Sequence, residues 1–366
     1  MKKVYLFLLF IFICTFIYSM KVKYIGNAVL FEKGDNFIRE PTSFFVTEDN
    51  FIYIFDAKAS NIKIYKEDGK FIKSFGRYGL GPDEFIRPAF GTYRKGIIVI
   101  NDLKRDHLFV YRRDGNNSLK FLKKFFFSGI DNDMHFYGGN KLLLAGLNSD
   151  KNRKGNPAYG IISFDILNNK TSYILYLSTC FGFKSQKELD EKMMNGLISL
   201  VPAGYVDFIK NYIFYVYAGD IRIIRFNERT KRIITFGKKT EGYIKPYVTK
   251  EIINSSAMIG GNSNRRKELI NKMSFVLKLF TVSDNRVFIV YTKYNTKIKN
   301  SELFLQCYNI NGKFIKEYKM NEVNDFINSE IIFYFKKDSM MLYAIKTEIN
   351  SNFSQRFLLF KYRIVL

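Results

Sequence analysis

The chain has 366 residues, 47% of them hydrophobic and 17% aromatic, which is enough apolar side chain for a sizeable core and excludes global disorder. It carries 38 Phe and 25 Tyr but no Trp, a composition that leans toward sheet, and its 6 Pro exclude a Pro-rich linker. The formal net charge of +24 creates a field that favours acidic partners, but the lysines are dispersed and Lys, Asn, Ile, Phe and Tyr are abundant together, so a generally basic, solvated surface is the plainer reading.

The first nineteen residues read as a signal peptide (1–19), followed by one domain (20–366). Lys2 and Lys3 give a positive start. Val4 to Ile17 is apolar apart from Tyr5, Cys14 and Thr15, and Ser19 offers a small residue at a weak cleavage site. The apolar stretch is shorter than the ~20 residues a spanning helix needs. Ile13, bulky, precedes Cys14, which argues against lipidation there. The expected location is outside the cytoplasm, in a periplasm or cell envelope. Of the other cysteines, Cys180 and Cys307 could form one disulfide, but they match no disulfide framework and no zinc spacing.

Val22 to Phe31 reads as a strand with no sheet of its own. A unit of four short strands follows. Its second strand, Phe51 to Phe55, ends at Asp56; its third is Asn61 to Tyr65. Asp68-Gly69 signals a hairpin, because Gly tolerates positive φ, and Lys70 to Phe75 closes the unit. The pattern returns: Asp56, Tyr65 and Gly69 recur as Asp102, Tyr111 and Gly115, each displaced by the same interval. Phe125-Phe126-Phe127 reads as the outer strand of this second unit. Gly69-Lys70-Phe71-Ile72-Lys73 recurs again as Gly312-Lys313-Phe314-Ile315-Lys316. Weaker copies place third strands at 160–165, 221–226 and 357–360, so that Tyr65, Tyr111, Phe164, Phe226, Tyr308 and Phe360 mark six units. Four antiparallel strands per ~40–50 residues is the blade period of a β-propeller.

The spacing between marks widens in the middle of the chain, so short helical insertions are expected, at 185–197 and 265–275. The last unit, from about Asp325 to Leu366, runs out after three strands. The fold expected is therefore all-β: a six-bladed propeller with short helical insertions, its ring closed by the N-terminal strand and its chain ends side by side.

Gly76-Arg77-Tyr78-Gly79-Leu80-Gly81-Pro82-Asp83-Glu84-Phe85, with Pro88 after it, resembles the connector between blades of NHL-repeat propellers, and the runs at 52–56 and 68–69 match the same pattern. The resemblance is specific over about residues 41–127 and faint through the middle of the chain. It implies a rigid ring whose ligands sit on the face built by inter-blade connectors and loops after second strands. On this chain that face would carry Asp56, Lys58, Asn61, Arg77, Tyr78, Asp102, Lys104 and Arg105. No catalytic role comes with it.

Other chemistry is sparse. The Gly76–Gly81 run lacks the Lys-Ser/Thr ending of a phosphate-binding loop and reads as a turn. Asp56 and Asp102 read as caps on the following loops, with a divalent cation such as calcium as the alternative. Two histidines, His107 and His135, are too few for a histidine-built zinc site and read as loop or core-edge residues. Lys151-Asn152-Arg153-Lys154 and Arg265-Arg266-Lys267 are short basic clusters on the insertions. The function expected is that of an exported, non-catalytic binding or scaffold protein without a cofactor. Its partner would be a protein, a glycan or a small molecule outside the cytoplasm. Nucleic acid is disfavoured by the signal segment, peripheral contact with an anionic membrane stays open, and the chain is expected to be a monomer. The alternative is a hydrolase or lyase acting at the channel face.

Overall fold

The second strand of the first unit reads Phe-Ile-Tyr-Ile-Phe-Asp, with no polar alternation. A strand buried on both faces needs none. Ile52 and Ile54 pack to one side, with Tyr343 and Leu359; Tyr53 and Phe55 pack to the other, with Ile98 and Phe109. Each sheet is thus sandwiched between two others. The structure, a computed structural model, describes residues 21–31, 37–127, 129–149, 157–176, 204–246, 272–323, 331–349 and 355–365.

Strand β1 (Lys21–Val29) opens the described chain. Blade 1 is β2 (Pro41–Val46), β3 (Phe51–Asp56), β4 (Asn61–Lys66) and β5 (Phe71–Phe75). Two short parallel strands, β6 (Arg77–Tyr78) and β7 (Glu84–Phe85), form the connector. Blade 2 is β8 (Pro88–Arg94), β9 (Ile97–Asp102), β10 (His107–Arg113) and β11 (Leu119–Phe126). Blade 3 is β12 (Gly129–Tyr137), β13 (Lys141–Ser149), β14 (Pro157–Asp165) and β15 (Lys170–Tyr176). Blade 4 is β16 (Gly204–Ile209), β17 (Tyr212–Tyr217), β18 (Ile223–Asn227) and β19 (Ile233–Phe236). Blade 5 is β20 (Val276–Val282), β21 (Arg286–Asn295), β22 (Asn300–Asn309) and β23 (Phe314–Lys319). Blade 6 is β24 (Ile331–Lys336), β25 (Met341–Ile349) and β26 (Gln355–Val365), and β1 supplies its outer strand.

The protein is a six-bladed β-propeller. First strands touch in a circle: β2 meets β8, β8 meets β12, and so on to β24, which meets β2. Among the described residues there are six hydrophobic clusters, one in each cleft between neighbouring blades. The six aromatic marks all fall on third strands and are all buried. The expected closure is also present. β1 runs antiparallel to β26, with Lys21 opposite Val365, so the described ends lie side by side.

Local turns follow the residues. Gly69 takes φ 90°, and a Cβ there would stand 2.0 Å from the Val29 carbonyl oxygen, so glycine serves both the turn and the seating of the N-terminal segment. The corresponding hairpin of blade 2 differs. Its positive-φ residue is Asn117 at 58°, not Gly115: the turn closes from the Asn117 N–H to the Asp114 carbonyl, as from Gly69 to Lys66, so Gly115 stands two places ahead of the position that takes positive φ.

No helix occurs among the described residues. The insertion at 185–197 lies outside them, as do residues 265–271 of the second; Lys272 to Phe275 is turn and extended chain. The signal segment, Cys14, Cys180 and both basic clusters (151–154 and 265–267) also lie outside them. Cys307 is fully buried on β22, and burial pushes its thiol up to about 12.

Candidate functional site: a polar channel through the ring

The connector face is built as the sequence implies, and many of its polar groups hold the chain together. Asp56 is fully buried. Its carboxylate accepts N–H groups of Arg39 (2.8 Å), Glu40 (3.1 Å) and Ala59 (3.0 Å). Asp102, equally buried, accepts those of Ile86 and Arg87, both at 2.8 Å. Both carboxylates therefore bind the connector that precedes their blade, and Asp56 also caps the loop after it. The Arg105 guanidinium donates to the carbonyls of Leu80, Gly81 and Glu84 and lies over the Phe109 ring. Arg77 pairs with Glu84 at 2.8 Å. Tyr78, 74% exposed, is free of the core, as are the exposed Lys58 and Lys104; Asn61 is half-buried at the start of β4. None of these eight residues lines the cavity at the ring centre.

That cavity, of about 560 Å3, is lined from all six first strands. Its ion pairs come from blades 3 to 6, while blades 1 and 2 contribute Ser43, Glu48, Thr92 and Arg94. Asp133 and His135 stand two apart on β12 and so share one side of the strand. Asp133 Oδ1 accepts from Lys278 Nζ at 2.8 Å, across from blade 5, and His135 Nε2 lies 3.1 Å from the same oxygen. Its other oxygen accepts the Val206 N–H of blade 4 at 3.1 Å. One step around the ring the device repeats. Asp207 Oδ2 accepts the Thr281 N–H at 2.7 Å, and Oδ1 accepts from Lys337 Nζ at 2.7 Å.

Burial opposes ionisation at both carboxylates. At Asp133 the charges of Lys278 and His135 outweigh burial, and at Asp207 those of Lys337 and His135 do, so each carboxyl is held below the usual range. Lys278 lies 5.7 Å from the Tyr205 ring centre and Lys337 5.0 Å from that of Phe208. Burial pushes the Tyr205 hydroxyl up, so it stays a neutral hydrogen-bonding group.

Sequence reasoning missed Asp133, Asp207, Lys278 and Lys337, and left His135 at a loop or core edge. The register of β12 slips between Asp131 and Asp133, and that of β20 between Val276 and Lys278. Such bulges re-aim side chains. The available signal was a charged residue inside a first strand, as in Val206-Asp207-Phe208. The arrangement can hold a polar ligand in a pocket of ordinary small-molecule size, and the Asp133-oriented imidazole can exchange a proton. Among the described residues no group of three or more His, Cys, Asp or Glu is placed to hold a metal ion.

No family model matches the chain, and no curated protein matches its sequence. Solved structures do resemble it. A member of the DUF4221 family from Bacteroides vulgatus superposes with a TM-score of 0.60 at 11% identity, over 94% of this chain and 98% of that one. A protein of unknown function from Bacteroides thetaiotaomicron gives 0.53 at 10% identity, over 95% and 76%. Another, from Dyadobacter fermentans, gives 0.51 at 9% identity, over 94% and 99%. At these identities the likeness shows the fold alone.

Proposed function

We propose that the protein is an exported, non-catalytic binding module that takes a small polar ligand into its central channel. The carrying observation is the convergence of Asp133, His135, Asp207, Lys278 and Lys337, drawn from four blades, on one cavity. A scaffold needing only its outer surface has no use for paired charges there, since buried ion pairs are weak sources of stability. The reading keeps the sequence-based expectation of a ligand-binding propeller and moves the site from the loop face into the channel.

The test is a calorimetric screen of the purified protein against small polar metabolites, peptides and glycans. Each hit is repeated on His135→Gln and Tyr205→Phe. A lost hydrogen bond to ligand weakens binding by about tenfold. The loop-face changes Lys58→Ala and Lys104→Ala leave it unchanged. Hits that follow the loop-face variants and ignore the channel variants contradict the reading.

One observation favours a second reading, a hydrolase or lyase at the channel: the contact between Asp133 and His135 is that of an acid–base residue and its orienting carboxylate. Turnover of a channel ligand, abolished by His135→Gln with binding retained, would establish it.

A further inference from the structure

The channel's walls say what class of ligand they suit. We infer that it is an uncharged, polyhydroxylated one, a short neutral oligosaccharide; this rests on the channel being the binding site.

Two ion pairs match charge within the channel: Asp133 with Lys278, both buried, and Asp207 with Lys337, whose side chain is 42% exposed. Lys336 Nζ donates to Asn50 Oδ1 at 2.6 Å and to the Glu48 carbonyl at 3.2 Å, and the Glu48 carboxylate accepts from the Tyr93 hydroxyl. A charged ligand reaching Asp133, Asp207 or Lys278 would lose water and find those charges already paired, which is unfavourable, whereas the Lys336 ammonium is satisfied by hydrogen bonds to neutral oxygens. Arg94 and Lys95 are exposed at the rim, where solvent screens them.

His135 Nε2 faces the Asp133 carboxylate at 3.1 Å, which leaves Nδ1 as the ring nitrogen for a ligand. With its N–H on Asp133 the neutral imidazole keeps an acceptor at Nδ1, which a sugar hydroxyl can meet as donor. Lys278 Nζ has one donor on Asp133 and two more to offer, and Asp133 keeps a lone pair, whereas Lys337 and Asp207 are fully engaged by Thr281, Phe208 and each other.

Phe90 on β8 and Phe136 on β12 are half-buried and line the cavity. Among the described residues, no other ring and no cation lies over either. The half-buried Tyr205 ring opens on the same space. The Phe90 ring, with the part of Phe136 not packed against the apolar cluster between blades 2 and 3, stands beside amphoteric polar groups and suits a molecule with C–H faces and a hydroxyl edge. Small anions have no such face, and amino acids bring charge.

The experiment is a glycan array of neutral and uronate-containing oligosaccharides, followed by titration of the hits into wild type, Phe90→Leu and Phe136→Leu. Leucine keeps apolar bulk and removes the ring face, so the fold is retained. The expected result is a neutral oligosaccharide whose affinity is unchanged between about 0.05 and 0.5 M salt. Each leucine variant should weaken it about threefold to tenfold, the size of a lost aromatic contact. If only uronate-containing glycans bind, steeply salt-dependent and still sensitive to the channel variants, the channel remains the site and the inference about ligand class is overturned. Neutral hits indifferent to Phe90 and Phe136, or an array with no hits, also overturn it.

Discussion

Asp56 and Asp102 each take up backbone N–H groups that the connector would otherwise bury without partners. Removing such an acceptor costs the desolvation of what it leaves behind, about 1–3 kcal/mol per stranded group. Asp56→Ala is therefore expected to lose about 3 kcal/mol in urea unfolding, and a loss under ~0.5 kcal/mol would show that water replaces the carboxylate freely. Asp133 carries a pH dependence. Its folded carboxyl lies below the ordinary 3.8, because Lys278 and His135 outweigh the opposing effect of burial. A depressed folded value stabilises the protein above the unfolded value and is lost as pH falls below about 3.8 toward the folded one. The stability gap between wild type and Asp133→Asn should accordingly narrow on acidification below that point. Parallel loss in both proteins, followed by denaturant midpoints, would place the charge elsewhere.

Strand β1 is the element on which the ring's closure depends. It covers the edge of β26 that would otherwise stand open to another chain. Lys23 and Arg363 face each other across that pair, and both are exposed. A Lys23→Cys, Arg363→Cys protein should oxidise to a disulfide and gain about 2–4 kcal/mol over its reduced form in thermal or urea unfolding. Failure to cross-link would mean that β1 does not sit where the register puts it. This closure was readable beforehand, from a strand without a blade at one end and a blade short of a strand at the other. The hairpin at Asp68-Gly69 was readable too, since its chemistry is local. The blade 2 hairpin was not, because its turn starts at Asp114 and so puts Asn117, not Gly115, where positive φ is taken. Nor were the bulges at Asp133 and Lys278, which arise where a strand meets its neighbour and leave no mark in either sequence alone.

At the scale of the molecule, six clefts each hold a separate apolar cluster, and the first strands meet around a polar centre. The number of blades could be counted because each third strand buries an aromatic at a recurring place. The contents of the centre could not. Positions 133, 207, 278 and 337 belong to four blades, are separated by uneven loops, and become neighbours only when the ring shuts. The loop-face residues drew attention because the repeat makes them conspicuous, and two of them, Asp56 and Asp102, are conspicuous because they anchor connectors. Asp133 and Lys278 lie 145 positions apart, on blades that are not adjacent in the ring, and still share a hydrogen bond. A double-mutant cycle with Asp133→Asn, Lys278→Met and the pair, read by urea unfolding at neutral pH, therefore reports ring closure and channel chemistry together. A coupling energy of about 1–3 kcal/mol is expected for this buried contact, and additivity within ~0.3 kcal/mol would contradict it.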